Sequence, residues 1–100
     1  MLIIAGTITV DPDDRERFLA LRKDTVARAR KMKGCLDYAF SADIADPSCV
    51  RLFEWWESED DVAAWMVARH TERGQSGEPE VSIRRMDFLK HQISSTGPID

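Results

Sequence analysis

Val50-Arg51-Leu52-Phe53-Glu54-Trp55-Trp56-Glu57-Ser58 is the stretch whose reading decides the fold. Five of its first seven residues are β-branched, aliphatic or aromatic, which favours a strand. The strand ends at Glu57-Ser58, where a helix can start, because the Ser58 hydroxyl can accept from a free amide of the first turn. Asp61, three residues on, completes a variant of the capping box. Alternation sets Val50, Leu52, Glu54 and Trp56 on one face and Arg51, Phe53 and Trp55 on the other. Both faces are largely apolar, so each needs a cover.

Upstream, Cys35 to Asp43 alternates Leu36, Tyr38, Phe40 and Ala42 against a more polar set, as expected of a strand at a sheet edge. Ala45-Asp46-Pro47-Ser48 is a turn signal that joins this strand to the first one as a hairpin. Further back, residues 2–10 form an apolar strand expected in the middle of the sheet, and Gly6 marks a close approach of backbone or ligand. Asp11-Pro12 opens a helix read over 12–32, with Phe18, Leu21, Thr25, Ala29 and Met32 as its buried stripe and Gly34 as its stop. Downstream of Ser58, Val62, Trp65, Met66 and the Arg69/His70 pair make the inner side of a second helix. Residues 74–80 read as a mobile loop. Val81 to Ile93 reads as a fourth strand, with Val81, Ile83 and Leu89 on one face and Met86 and Phe88 on the other.

The order strand, helix, strand, strand, helix, strand is the split βαβ arrangement: an α+β, ferredoxin-like fold with a four-stranded antiparallel sheet. Residues 1–93 make the domain and 94–100 a tail. Two helices cover one sheet face, and a second copy of the chain is the expected cover for the other.

The composition, 43% hydrophobic and 32% charged, is that of an ordinary globular protein. A net charge of −4 with dispersed basic residues argues against nucleic acid as a partner. No apolar run is long enough for a membrane span, and the opening Met1–Gly6 lacks the basic region of a secretion signal, so a cytoplasmic location is expected. Cys35 and Cys49 are too few for a disulfide scaffold or a four-ligand zinc site.

Three segments carry a resemblance to a known family: Gly34-Cys35-Leu36-Asp37-Tyr38 after a helix, then Asp43-Ile-Ala-Asp-Pro47, then Phe53-Glu54-Trp55-Trp56-Glu57-Ser58-Glu59 with His70 downstream. Together they resemble the antibiotic biosynthesis monooxygenases over roughly residues 2–92. The resemblance implies a dimeric α+β barrel and, in several members, oxygenation of quinol- or anthrone-like aromatics without a cofactor. This chain departs from the anthrone oxygenases in having Leu52 and Val62 where they carry Asn and Tyr. Trp65 is similar to a helix Trp of the related haem-degrading enzymes, but Thr7 stands in place of their Asn and Gln75 is the nearest match to their haem-ligating His.

Oxygenation with no metal or flavin requires the substrate to lose a proton and the site to stabilise the anion that results. Trp56, Glu54 and His70 are the expected catalytic residues: an indole N–H donor, an interior carboxylate and the side chain nearest neutrality. Glu54 is equally open to an ion pair with Arg84 or Arg85. Trp65, Thr7 and Tyr38 are the expected substrate-binding residues, and no metal or organic cofactor is expected. The acidic run Glu57-Ser-Glu-Asp-Asp61 reads as a solvated helix start rather than a metal cluster. A non-catalytic small-aromatic-binding or stress-associated dimeric domain is the alternative, with haem binding or degradation third.

Overall fold

The computed structural model describes residues 1–73 and 81–99, the side chains at 71–73 excepted. The elements are β1 (Leu2–Val10), a single 3-10 turn (Pro12–Asp14), α1 (Arg15–Ala29), β2 (Cys35–Ala42), β3 (Cys49–Trp56), α2 (Glu59–Arg73) and β4 (Ile83–Gln92). The sheet is antiparallel in the order β2-β3-β1-β4, so the apolar β1 is interior and β2 lies at an edge, both as expected. This is the α+β, ferredoxin-like arrangement. No helix among the described residues is long and apolar enough to cross a membrane. The expected mobile loop at 74–80 lies outside the described residues.

The helix starts follow the local chemistry. Asp11 caps through its carboxylate, which accepts from the Asp13 amide at 2.9 Å. Pro12 sits in the first turn, which is 3-10 before α1 proper begins at Arg15. The Ser58 Oγ accepts from the Asp61 amide at 3.2 Å and donates to Asp61 Oδ2 at 2.8 Å. The first helix ends at Ala29, earlier than the sequence suggested. Lys31 and Met32 donate to Arg28 and Ala29, a tighter i−3 pattern, and Gly34 turns the chain at φ 82°.

The helix-side face of the sheet carries two buried clusters. One joins Leu2, Ala29, Tyr38, Leu52, Trp56 and Trp65; the other joins Ile8, Val10, Phe18, Val50 and Val81. Phe40 and Phe88 touch both and make them continuous. Gly6 is the close approach its position suggested. A Cβ there would run into the Asp87 carbonyl and lie 2.7 Å from Phe88 Cα, so β4 fixes that residue.

Two register shifts change which side chains face inward. Between Cys35 and Asp37 the β2–β3 ladder slips, so Cys35 stands opposite Trp56 and Leu36 is 42% exposed. Between Thr9 and Val10 the β1–β4 ladder slips as well. Ile83 and Phe88 therefore both pack on the core, while Leu89 alone turns to the open face. The expected grouping of Ile83 with Leu89 fails for that reason. On α2 the inner stripe is Val62, Trp65 and Ala68, whereas Met66, expected inside, is half exposed. The expected stripe of the first helix faces the core, with Phe18 and Ala29 buried and Leu21, Thr25 and Met32 half-buried; Arg22 is buried beside it, its guanidinium 5.0 Å from the centre of the Phe18 ring.

Candidate functional site

Three rings meet where α2 crosses β2 and β3. Tyr38 meets Trp65 edge-on at 5.7 Å between centroids and Trp56 edge-on at 6.5 Å. Trp56 and Trp65 stack at 6.5 Å with 28° between their planes. All three are essentially solvent-free. The placement follows from chain periodicity. Tyr38 stands directly across the ladder from Glu54, and Trp56 follows two residues after Glu54 on the same face. Trp65 descends onto them from the inner stripe of α2.

Glu54 is the only buried carboxylate among the described residues, at 3% exposure. Its Oε1 accepts from the Trp56 indole N–H at 2.9 Å. Burial pushes its carboxyl above the ordinary 4.5, and the Trp56 N–H and the positive charge of Arg69 pull it partly back. The expected ion pair with Arg84 or Arg85 is absent. Arg84 bonds Asp11 at 2.8 Å and Arg85 bonds Asp87 at 2.6 Å. The register explains why: Arg85 pairs with Thr9 of β1 and Glu54 with Ile4, about 17 Å apart along the strand.

The Trp56 N–H, expected to reach a substrate oxygen, is thus taken by Glu54. Two other polar groups in the cluster are open. Tyr38 OH and Trp65 Nε1 are both buried with no hydrogen-bond partner. Burial, then the negative charge of Glu54, pushes the Tyr38 phenol up to about 12. The Trp65 N–H lies close enough to favour the phenolate slightly, as do Arg69 and Arg22, but its geometry falls short of a hydrogen bond. Tyr38 is a donor throughout the physiological range.

Of the six residues singled out from the sequence, Trp56, Glu54, Trp65 and Tyr38 come together. Thr7 does not. It stands opposite Arg51 and Asp87 on the sheet face that the helices leave open. His70 lies exposed on α2. Arg69 was counted with the inner side of α2 but given no role, although it influences both Glu54 and Tyr38. Its position four residues after Trp65 was the available signal. Among the described residues no group of three or more His, Cys, Asp or Glu is placed to hold a metal ion. Glu59, Asp60 and Asp61 form the first turn of α2, and both cysteines are free.

Comparison with known proteins agrees with this architecture. A protein from Deinococcus radiodurans, provisionally assigned as an antibiotic biosynthesis monooxygenase, superposes with a TM-score of 0.77 at 16% identity, over 100% of this chain and 99% of its own. A Pseudomonas aeruginosa protein gives 0.72 at 22% identity, over 94% of each chain. A haem degrader of Mycobacterium tuberculosis, solved with two haems in its active site, gives 0.76 at 10% identity, over 98% of this chain and 100% of its own. At such identities these likenesses establish the fold. An uncharacterized protein of Synechocystis sp. is 33% identical over 57 residues, 57% of this chain, and the match spans only 39% of that relative. The family model for antibiotic biosynthesis monooxygenase matches residues 1–76, and the chain belongs to that family.

Proposed function

We propose that this protein is a cofactor-independent monooxygenase that oxidises a small quinol- or anthrone-like aromatic with molecular oxygen. The observation that carries the reading is Glu54: a buried carboxylate with a raised pKa, set beside two buried donors that have no partner. A carboxylate tuned upward is a better base at neutral pH. Tyr38 OH and Trp65 N–H supply donors to an oxygen on which negative charge develops, and the indole faces suit a flat ring.

In the proposed reaction Glu54 takes a proton from the activated position of the substrate. The delocalised anion passes one electron to oxygen, and the resulting radical and superoxide combine into a peroxide. Loss of water completes the reaction, so the CH2 group of an anthrone and O2 become C=O and H2O, and a quinol and O2 become a hydroxyquinone and H2O. Electrons come from the substrate alone. Trp56 holds the Glu54 carboxylate in place, and His70 at the exposed side of α2 is a candidate for proton exchange with solvent.

A second copy is the proposed cover for the open sheet face, where Phe53 and Trp55 are half-buried and Leu89 is 68% exposed. The Trp55 indole nitrogen there is enclosed and unpartnered. The competing reading is a domain that binds such an aromatic without turnover. It is favoured by the close mutual packing of the three rings around a Glu54 only 3% exposed, since an aromatic can bind this domain without reaching that carboxylate.

Oxygen uptake with reduced naphthoquinols and anthrones in metal-free buffer tests the proposal. Turnover by the protein and its loss by at least about a hundredfold in Glu54→Gln are expected, the usual scale for removing a general base. Saturable binding across the panel without oxygen uptake supports the binding reading instead.

A further inference from the structure

The first helix has a second, outer face that shares only Val26 with the one packed on the aromatic cluster. Leu19, Lys23, Val26, Ala27 and Arg30 recur at helical spacing alongside Phe40, Ser41 and Ala42 of the edge strand β2. Between them runs a groove of about 690 Å³, within the range of small-molecule sites. Its floor is apolar, from Leu19, Val26 and Phe40. Among the described residues its charged lining is Arg22, Lys23 and Arg30, with no carboxylate, although the chain as a whole carries −4. The nearby Asp24 is drawn to Arg28.

We infer that this groove binds an amphipathic organic anion, an apolar chain or ring bearing a carboxylate or sulfate. The body lies on Leu19, Val26 and Phe40, and the head sits between Lys23 and Arg30. The edge of β2 is arranged accordingly. Arg30 Nε donates to the Tyr38 carbonyl at 2.9 Å, and the Tyr38 amide donates to Asp37 Oδ1 at 2.8 Å. Both outward backbone groups of Tyr38 are therefore satisfied. By alternation only Phe40 and Ala42 present edge amides before the hairpin turn, too short a run to recruit an added peptide strand. The site is separate from the one proposed for oxidation, since the Phe40 ring stands between the groove and Tyr38, 5.9 Å from the latter.

The test is a titration of the full chain with decanoate, kept below its micellar range, followed by amide chemical shifts. Saturable shifts centred on residues 19–30 and 40–42 are expected, with decyltrimethylammonium at least about fivefold weaker, the scale of one exposed charge pair. Lys23→Glu weakens decanoate by a similar factor of about five while the remaining shifts stay in place. Ala27→Trp, at an exposed helix position, fills the groove and abolishes the response. The inference is overturned if decanoate and decyltrimethylammonium bind equally, or if the shifts centre on Phe53 and Leu89. No saturable shift refutes it too, as does a change in oligomeric mass in Ala27→Trp, which identifies the occupant as a second copy. Oxygen uptake does not enter either outcome.

Discussion

Tyr38 is the only tyrosine in the chain, so its ionisation can be followed by the tyrosinate band without interference from another phenol. The perturbation is pH. An exposed phenol titrates near 10, whereas burial and the neighbouring Glu54 charge push this one up to about 12. Between those values the native state keeps a proton that the unfolded state has lost. Stability therefore falls as pH rises through this window and is undiminished below it. Two pH units correspond to about 3 kcal/mol, a large share of what a domain of this size commonly has. The assay pairs near-ultraviolet absorbance with far-ultraviolet circular dichroism, so that ionisation in the folded protein is distinguished from release by unfolding. Either a folded-state midpoint near 12, or a tyrosinate band that rises together with the loss of dichroism above pH 10, fits. In Glu54→Gln the like charge is gone and the midpoint moves down. A tyrosinate band that rises at pH 10 with the dichroism intact refutes the enclosed phenol, and with it the donor role proposed for Tyr38.

The Glu54 carboxyl is raised as well, so native protein holds that proton where unfolded chain does not, and stability declines as pH climbs from the ordinary 4.5 through the raised value. Glu54→Gln removes this decline. The difference in urea midpoint between variant and wild type should shift in the variant's favour from pH 4 to pH 8, and a constant difference counts against the buried charge. Ser58→Ala removes the cap of α2 and should lower stability by about 1 kcal/mol, read from chemical denaturation. Gly6→Ala drives a methyl into the β4 backbone. It should cost about 3 kcal/mol or prevent folding, and a variant that melts like the wild type contradicts the tight β1–β4 approach.

What the sequence revealed was what neighbouring residues decide for themselves. Asp11-Pro12 and Ser58 announce helix starts because capping is a local contest for free amides, and both are seen in place. The apolar run at 2–10 announces an interior strand for a similar reason. The slip between Thr9 and Val10 is different, since it belongs to a pairing across some seventy-five residues and no pattern within β4 encodes it. Leu89 was assigned to the wrong company on that account. The site shows the same division. Alternation alone brings Glu54 beside Trp56, and Tyr38 follows once the hairpin register is known. That the Trp56 N–H turns to Glu54 rather than outward is a rotamer choice made by packing against Trp65. Thr7 went astray because both faces of β1 are rich enough in apolar residues to hide which one the helices cover.

Gly34 closes the first helix and also touches the start of the second. Its carbonyl accepts from the Glu57 amide at 2.8 Å, and any β-carbon there would collide with the Asp61 carboxylate that clasps Ser58. The halves of the chain are thus fastened to each other at one spot, like two hinged leaves sharing a pin. Alterations at position 34 should register as fraying of a helix that begins 25 residues later, and fragments split between the halves should reassemble only when that glycine is retained.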